Sequence, residues 1–579
     1  MAKQRTWLFR LIMFSIPVLF FVVLEVILRV VGYGNSYPLF ISTPDSENYI
    51  LARPDIINRY FPDNVPKPSV TMEANLFLKQ KPENGLRLFV QGGSTAAGFP
   101  YGLGASPAGM LDQRLKQTFP DKHVEVINTA MSAVNTFTVL DFADEIIAQQ
   151  PDAVLIYSGH NEFLGIMGVG SNFSALGSYG ANLMMLALRD FRFYQLLQNI
   201  YVGLFIDIPG ETNSSGAQVS RTFMSKVAKE KNIVLDSEMY QAGLEQYKNN
   251  LTAIIRKYQK ADIPVYLSTL ASNLKDQQPF VSAEISNDSK LALNGLIHVA
   301  QSGATLNQLQ TQINRVLNEG NNKQSADAHF MVAKTLEMAK HLDAAKPYFA
   351  KAKELDLLRF RAPDALNRII KELAKEEGVY LVDYEQNLAS KSPAGVIGKE
   401  FMLEHLHPNL PGYFVLADTF YQSLMSNTLK PFGNTPVDTN TAWRFRPVLP
   451  AEEYYAYAQI VQLKADYPFV PEPVEFVLPK PADWQQTLGL QHFQKQIDWI
   501  TMISESYKGY VDERNMPMIM KSAQIIADAM PQNHQANYEY GRLLVQANRI
   551  PESALYFRRA VIEEPDNPTY IKALNQVTQ

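Results

Sequence analysis

The chain has 579 residues, 46% of them hydrophobic and 19% charged, with a formal net charge of −5 and no cysteine. That length implies several folding units, and the mild acidity, with no Lys/Arg block, speaks against a nucleic-acid partner. The lack of cysteine excludes disulfides, thiolate metal sites and a cysteine nucleophile, and it suits an oxidising compartment.

Residues 1–35 form the first unit. "MAKQRTWLFRLIMFSIPVLFFVVLEVILRVVGYG" puts Lys3, Arg5 and Arg10 ahead of a run that is uncharged from Leu11 to Leu24. Counted on to Val31, the run has the length a bilayer core needs. Positive charge before it predicts a single-pass inner-membrane protein with a cytoplasmic N-terminus and a periplasmic remainder. A cleaved signal peptide is the rival reading; the run is long for one, and no small-x-small site follows it. Glu25 and Arg29, four residues apart, share a helix face and can pair. They either snorkel at the outer membrane edge or meet another membrane helix.

Residues 36–84 read as a polar, Pro-containing, extended approach. Five apolar runs then read as buried strands: "LRLFV" at 86–90, "VEVIN" at 124–128, "AVLIYS" at 153–158, "VYLST" at 265–269 and "VYLVD" at 379–383. Amphipathic stretches such as "AGMLDQRLKQTF" and "FADEIIAQQ" separate the first three. Strand, helix, strand at this spacing implies a parallel sheet covered on both faces. Residues 165–188 carry no formal charge but are too rich in Gly and Ser for a second span. They read as a loop and helix beside the site: core packing, an apolar lid or a membrane-facing rim.

Two segments share a helical-repeat period. Residues 329–355 place Ala333, Ala345, Phe349 and Ala352 at small, small, aromatic, small positions, and residues 537–565 repeat this with Gly541, Ser553, Phe557 and Ala560. These spacings look like tetratricopeptide repeats, with a weaker copy around 500–531. The first lies in a helical insertion, 283–357, between the fourth and fifth strands. The others belong to C-terminal helices, 484–579, reached through a Pro-rich linker region, 429–483. Such helices either bind a protein partner or brace the main domain.

In parallel sheets, ligands bind outside the carboxyl ends of the strands. Four stretches follow or accompany such ends. "QGGSTAAGFPYG" offers Ser94 just past the first strand. "INTAMSAVNT" offers the small residues Ala130, Ser132 and Ala133, whose N–H groups can face a substrate. "YSGHNEF" offers Asn161, whose amide can donate to an oxyanion. "EHLHPNLPGY" offers His407, with Glu404 one turn earlier to accept from its other ring nitrogen. A phosphate loop fits less well, because no Lys-Ser/Thr follows "GGSTAAG". His405, His407 and Glu404, with His160 and Glu162, make a zinc or manganese site the chemical rival. Arg359 and Arg361 either bind an anionic sugar or phosphate, or start a surface helix.

Taken in order, these four stretches resemble the blocks of the SGNH/GDSL hydrolase family over roughly 85–282 and 358–428. The resemblance implies a flavodoxin-like three-layer α/β/α domain with a five-stranded parallel sheet. It also implies catalytic roles for Ser94, Ala133, Asn161, Glu404 and His407, with no cofactor and no metal. Gly93 and Arg361 are carried as substrate-binding candidates. Three positions depart from the family pattern. Gly93 stands for the usual aspartate, Ala133 for the oxyanion glycine, and Glu404 for aspartate. The function implied is ester hydrolysis or acetyl transfer on an extracytoplasmic glycan. A lipid esterase is the alternative, and a degenerate membrane-anchored scaffold that binds a protein through its repeats is another.

Overall fold

The computed structural model of the chain describes residues 2–62, 65, 67, 70–171, 178–205 and 232–578. Its first element is a helix, α1 (Ala2–Val30), whose window Met13–Val30 has a mean hydropathy of 2.3 and is long and apolar enough to cross a membrane. The side chains of Lys3, Arg5 and Arg10 lie outside the described ones. Glu25 and Arg29 pair at 2.7 Å.

Within the extended approach, strands β1 (Phe40–Thr43), β2 (Ser46–Ala52) and β3 (Leu76–Leu78) form a small antiparallel sheet in the order β1-β2-β3. The sequence reading missed this sheet because its strands are short and broken by Pro and Asn.

The main sheet contains β4 (Gly85–Gly92), β5 (His123–Asn128), β6 (Ala153–Tyr157), β7 (Val265–Ser268) and β8 (Val379–Val382). All are parallel, in the order β5-β4-β6-β7-β8. β4 to β7 have nearly every residue buried, as strands covered on both faces require, whereas the edge strand β8 buries only Val379 and Val382. After β4 come the single turn α2 (Ser94–Ala97) and α3 (Pro107–Thr118), and after β5 comes α4 (Thr136–Ile147). Crossovers are right-handed. The chain steps outward from β4 to β5 and then back past β4 to β6, so α3 and α4 fall on opposite faces. The architecture is a three-layer α/β/α domain of flavodoxin-like order. The strand order reverses between β4 and β6, the place where such sheets bind ligands at their carboxyl ends.

The remaining helices complete these layers or add to them. α5 (Tyr179–Leu188) and α6 (Arg192–Phe205) follow β6, and α7 (Glu238–Lys260) leads to β7 and packs on α4. Between β7 and β8 lie α8 (Asn287–Gln301), α9 (Leu306–Leu317), α10 (Ala326–Met338) and α11 (Leu342–Leu355), which bury a core of their own around Leu293, Ile313, Val332 and Phe349. α12 (Asp364–Leu373) precedes β8, and α13 (Tyr384–Lys391) and α14 (Leu410–Ser426) follow it. α14 packs on α3.

The Pro-rich region carries α15 (Thr439–Phe445) and α16 (Pro450–Lys464) in its first half. Residues 471–481 form no helix or strand. Six helices close the chain: α17 (Trp484–Phe493), α18 (Trp499–Asp512), α19 (Met516–Ala529), α20 (His534–Gln546), α21 (Ile550–Glu563) and α22 (Pro568–Thr578). α20 and α21 form a hairpin in which Gly541 faces the Phe557 ring, as small-on-aromatic spacing requires. These helices contact the rest of the chain through Lys116–Asp528 at 2.6 Å and Ser46–Glu563 at 2.9 Å.

Candidate active site

Local backbone rules place Ser94. β4 ends at Gly92, where φ is +156° and a Cβ would stand 2.0 Å from Tyr157 O on β6. Only glycine lets the two strand ends come this close. Gly93 then caps α2, whose Thr95 and Ala96 are buried while Ser94 stays partly exposed. Asn128, at the end of β5, pins this turn: its Nδ2 donates to Ala96 O at 3.0 Å, and its Oδ1 accepts from Ala130 N at 2.9 Å.

His407 reaches Ser94 from the far side of the sheet. Residues 402–408 make a tight hairpin closed by Leu403 N donating to His407 O at 2.9 Å. Asn409 then caps α14 by accepting from Gly412 N at 3.0 Å, with Pro411 in the first turn. His407 Nε2 stands 2.7 Å from Ser94 Oγ, and its Nδ1 is hydrogen-bonded to Glu404 Oε1. The Glu404 carboxylate is buried and accepts the backbone N–H groups of His405, Leu406 and His407 at 2.5, 3.3 and 2.9 Å. The extra methylene of glutamate is thus absorbed by curling the side chain back over its own hairpin. Burial pushes the His407 imidazole down to about 3, while the carboxylate at Nδ1 pulls the other way. At neutral pH the ring is neutral, and its Nε2 lone pair can take a proton from Ser94. The Phe99 ring covers His407 at a centroid distance of 4.7 Å.

The second and third loops bring donors to the same place. Ala133 has φ +66°, the left-handed region that glycine favours and alanine enters at a cost of about 1–2 kcal/mol. The backbone therefore keeps a glycine-like conformation although the residue is alanine. Its carbonyl accepts from Ile166 N at 3.0 Å, and Asn161 O accepts from Gly165 N at 2.7 Å, which locks the two loops together. Gly165 permits this approach, since a Cβ there would lie 2.6 Å from Asn161 O. A methyl built on Gly93 would lie 3.4 Å from Asn161 Nδ2, so the Asn161 amide faces the turn that carries Ser94. A side chain at 93 would contact that amide, whereas glycine leaves it open.

Among the described residues, no acceptor is recorded for the N–H of Ser94, the N–H of Ala133 or Nδ2 of Asn161. All three residues are partly exposed. Nearby, Asn135 Oδ1 accepts from Phe137 N and Asn250 Nδ2 donates to Thr136 Oγ1, while Asn135 Nδ2 and Asn250 Oδ1 are buried without a partner among the described residues. Three free donors and a Ser–His–carboxylate chain thus share one edge of the sheet.

Other candidates are engaged elsewhere. His160 Nδ1 accepts from Ala362 N at 3.2 Å and its Nε2 bonds Tyr157 OH at 3.1 Å. Burial, reinforced by His407, pushes its pKa down to about 3. Glu162 accepts from the Thr136 amide and hydroxyl and from Gln246 Nε2; burial pushes its carboxyl up to about 7. His160 and Glu162 are thus held by other partners, and among the described residues no group of three or more His, Asp or Glu could hold a metal ion. Arg361 is buried, donates to Asn273 O and Gln277 O, and pairs with Asp356 at 3.0 Å. Arg359 is buried as well and donates to Ile233 O and Glu354 O. Neither guanidinium is brought to Ser94, and the surface-helix alternative for them does not describe their buried positions. Asn128 and Phe99 escaped the sequence reading; an Asn ending the apolar run "VEVIN" was the available signal for the first.

No family model matches the chain, and no curated protein does. Among solved structures, a protein described as a GDSL-like lipase from Parabacteroides merdae aligns at 12% identity and a TM-score of 0.28, over 59% of this chain and 96% of its own. A protein described as an acylhydrolase from Bacteroides fragilis aligns at 10% identity and 0.27, over 60% and 91%. A GDSL-like lipase from Bacteroides thetaiotaomicron aligns at 10% and 0.25, over 60% and 92%. Likeness at this level says nothing about the reaction; the chemistry has to come from the residues around Ser94.

Proposed function

We propose that the protein is a serine ester hydrolase or acyltransferase, with Ser94 as nucleophile, His407 as general base and Glu404 as the group that orients the ring. The supporting observation is the 2.7 Å Ser94 Oγ to His407 Nε2 contact on an edge that also holds three unpaired donors. His407 takes the Ser94 proton as Oγ attacks the ester carbonyl carbon. The N–H groups of Ser94 and Ala133 and the Asn161 amide hold the resulting oxyanion. The intermediate collapses, the C–O bond to the alcohol breaks, and His407 returns its proton to that alcohol. A water or sugar hydroxyl then loses its proton to His407 and attacks the Ser94 ester; the bond from the acyl carbon to Ser94 Oγ breaks, Oγ takes the proton back from His407, and the acyl group leaves on the attacking oxygen.

The acyl group we assign is acetyl, because the Ala133 methyl occupies room that glycine would leave, and the acyl acceptor or carrier is an extracytoplasmic glycan. α1 is read as a retained inner-membrane anchor with the catalytic domain periplasmic, and the helical hairpins as tetratricopeptide-like units that bind a protein. Acetate release from acetylated sugars, measured beside hydrolysis of short and long p-nitrophenyl esters, tests the substrate. Activity confined to acetyl esters is expected; preference for long acyl chains would move the assignment to lipids.

A further inference from the structure

α5 and α6 present outward faces that no part of the described chain covers. On α6, Leu197, Ile200 and Leu204 recur at the spacing of one helical stripe and are 52%, 46% and 71% exposed. The opposite side of α6 is polar. Gln195, Gln198 and Asn199 line a small polar pocket shared with Asn35, Asn58 and Arg59. α5 is apolar apart from the buried Asn182, and its Met184 is 61% exposed. The only charges from 179 to 205 are Arg189, Asp190 and Arg192, gathered at the turn between the helices. An apolar stripe backed by a polar face is the signature of a helix that lies flat in a membrane interface.

What covers this face is set by where α6 sits. The Phe193 ring packs on the Phe21 ring of α1 at 5.1 Å. Phe193 N donates to Glu25 Oε2 at 3.1 Å, and Arg29 Nη2 donates to Asp190 O at 3.2 Å. Asn199 Nδ2 donates to Tyr33 OH at 2.9 Å, just past the end of α1. Phe21 lies nine residues before Val30, or about 14 Å along the helix axis. Phe21 is thus at the middle of the apolar window and Glu25 and Arg29 are in its outer half, so the start of α6 is held along that half and its exposed stripe continues the surface of α1. Glu25 and Arg29 do more than pair with each other, since they tie the span to this second helix.

We infer that α5 and α6 form a monotopic patch that lies in the outer leaflet interface beside α1, so that the domain rests on lipid through two contacts instead of swinging from one helix. The inference rests on the reading of α1 as a retained span, and the test separates the two. Because the chain has no cysteine, single cysteines carrying an environment-sensitive fluorophore can be placed in the full-length protein. The sites are Leu204→Cys, Met184→Cys, Phe14→Cys within α1, and the exposed Leu291→Cys on α8 as the aqueous control. The protein is reconstituted in phosphatidylethanolamine–phosphatidylglycerol vesicles, with nitroxide lipids labelled near the glycerol level or at the bilayer centre, and with iodide outside.

The inference predicts that probes at 204 and 184 lose most of their emission to the shallow nitroxide and resist iodide, while the probe at 291 behaves in the opposite way. Quenching of 204 and 184 by iodide as strong as at 291 overturns it. So does protection from both quenchers, which would mean that protein covers the face. A probe at 14 that the central nitroxide leaves unquenched overturns the reading of α1, whatever the other sites show. The probe at 184 keeps the test decisive if Leu204→Cys does not fold.

Discussion

The two ends of β4 carry opposite kinds of polar chemistry. At the amino end, Arg87 is buried and every direction is answered: its Nε donates to Glu125 Oε2 at 2.8 Å, its Nη1 to Gln149 O at 3.1 Å and its Nη2 to Leu78 O at 2.7 Å. Glu125 in turn accepts from Leu78 N at 2.7 Å. At the carboxyl end, eight residues along one strand, the Ser94 and Ala133 N–H groups and the Asn161 amide have no recorded acceptor, and a non-glycine residue holds φ +66°. Buried charge alone does not mark a functional site, because a satisfied network is architecture. Unanswered donors beside the Ser94–His407 pair are the arrangement that the proposed ester chemistry needs.

That contrast can be broken in order of size. Glu404→Gln should lower kcat/KM by about 10⁴-fold, since an amide can no longer hold His407 in the required tautomer, and should lower the unfolding midpoint as well, since its NH2 would face backbone N–H groups that the carboxylate accepts; a near-normal rate in the folded variant would leave the carboxylate without its role. Asn161→Ala should cost about 10²–10³ in kcat, and circular dichroism should show the native fold; wild-type kcat would remove Asn161 from the donor set. Arg87→Ala should do the reverse. It should destabilise the fold by about 3–5 kcal/mol in urea titration, by stranding Glu125, and leave the kcat of folded molecules unchanged.

The amino end should also show in pH. Against the upward push of burial, His123 and Arg87 hold the Glu125 carboxyl down to about 2. Its contribution to stability is then fully present above the unfolded value of 4.5 and is lost as pH falls toward about 2. The stability gap between wild type and Glu125→Gln should therefore narrow on acidification through that window, and a gap independent of pH would contradict the pairing. The smallest effect belongs to Ala133→Gly. Relief of the left-handed alanine should raise stability by about 1 kcal/mol, and the freed space should let longer acyl esters react. An unchanged acyl preference would show that the methyl does not limit the substrate.

Much of the carboxyl edge was legible because each piece is local. "GGST", "NTAMSA", "GHNE" and "EHLHPN" each sit at or beside a strand end, and His407 with Glu404 needs only three residues of chain to meet. The parallel sheet was legible for the same reason, since its strands are continuous apolar runs. The antiparallel sheet of residues 40–78 was not, because β3 has three residues and pairs across a gap of more than twenty. Arg361 misled, since a sequence does not reveal that Asp356 and two carbonyls answer it inside the fold. The exposure of α6 was hidden too: its apolar stripe reads as ordinary core in the sequence, yet Leu197 and Leu204 are exposed in the structure.

The reactivity of Ser94 is tested most directly by exposing the full-length protein to a fluorophosphonate probe and mapping the adduct by peptide mass spectrometry. A Ser–His pair at 2.7 Å with a complete donor set predicts a single stoichiometric adduct on Ser94, absent in Ser94→Ala and strongly slowed in His407→Ala. A folded wild-type protein that takes no label, or takes it equally when His407 is replaced, would contradict the assignment of this edge as an esterase site.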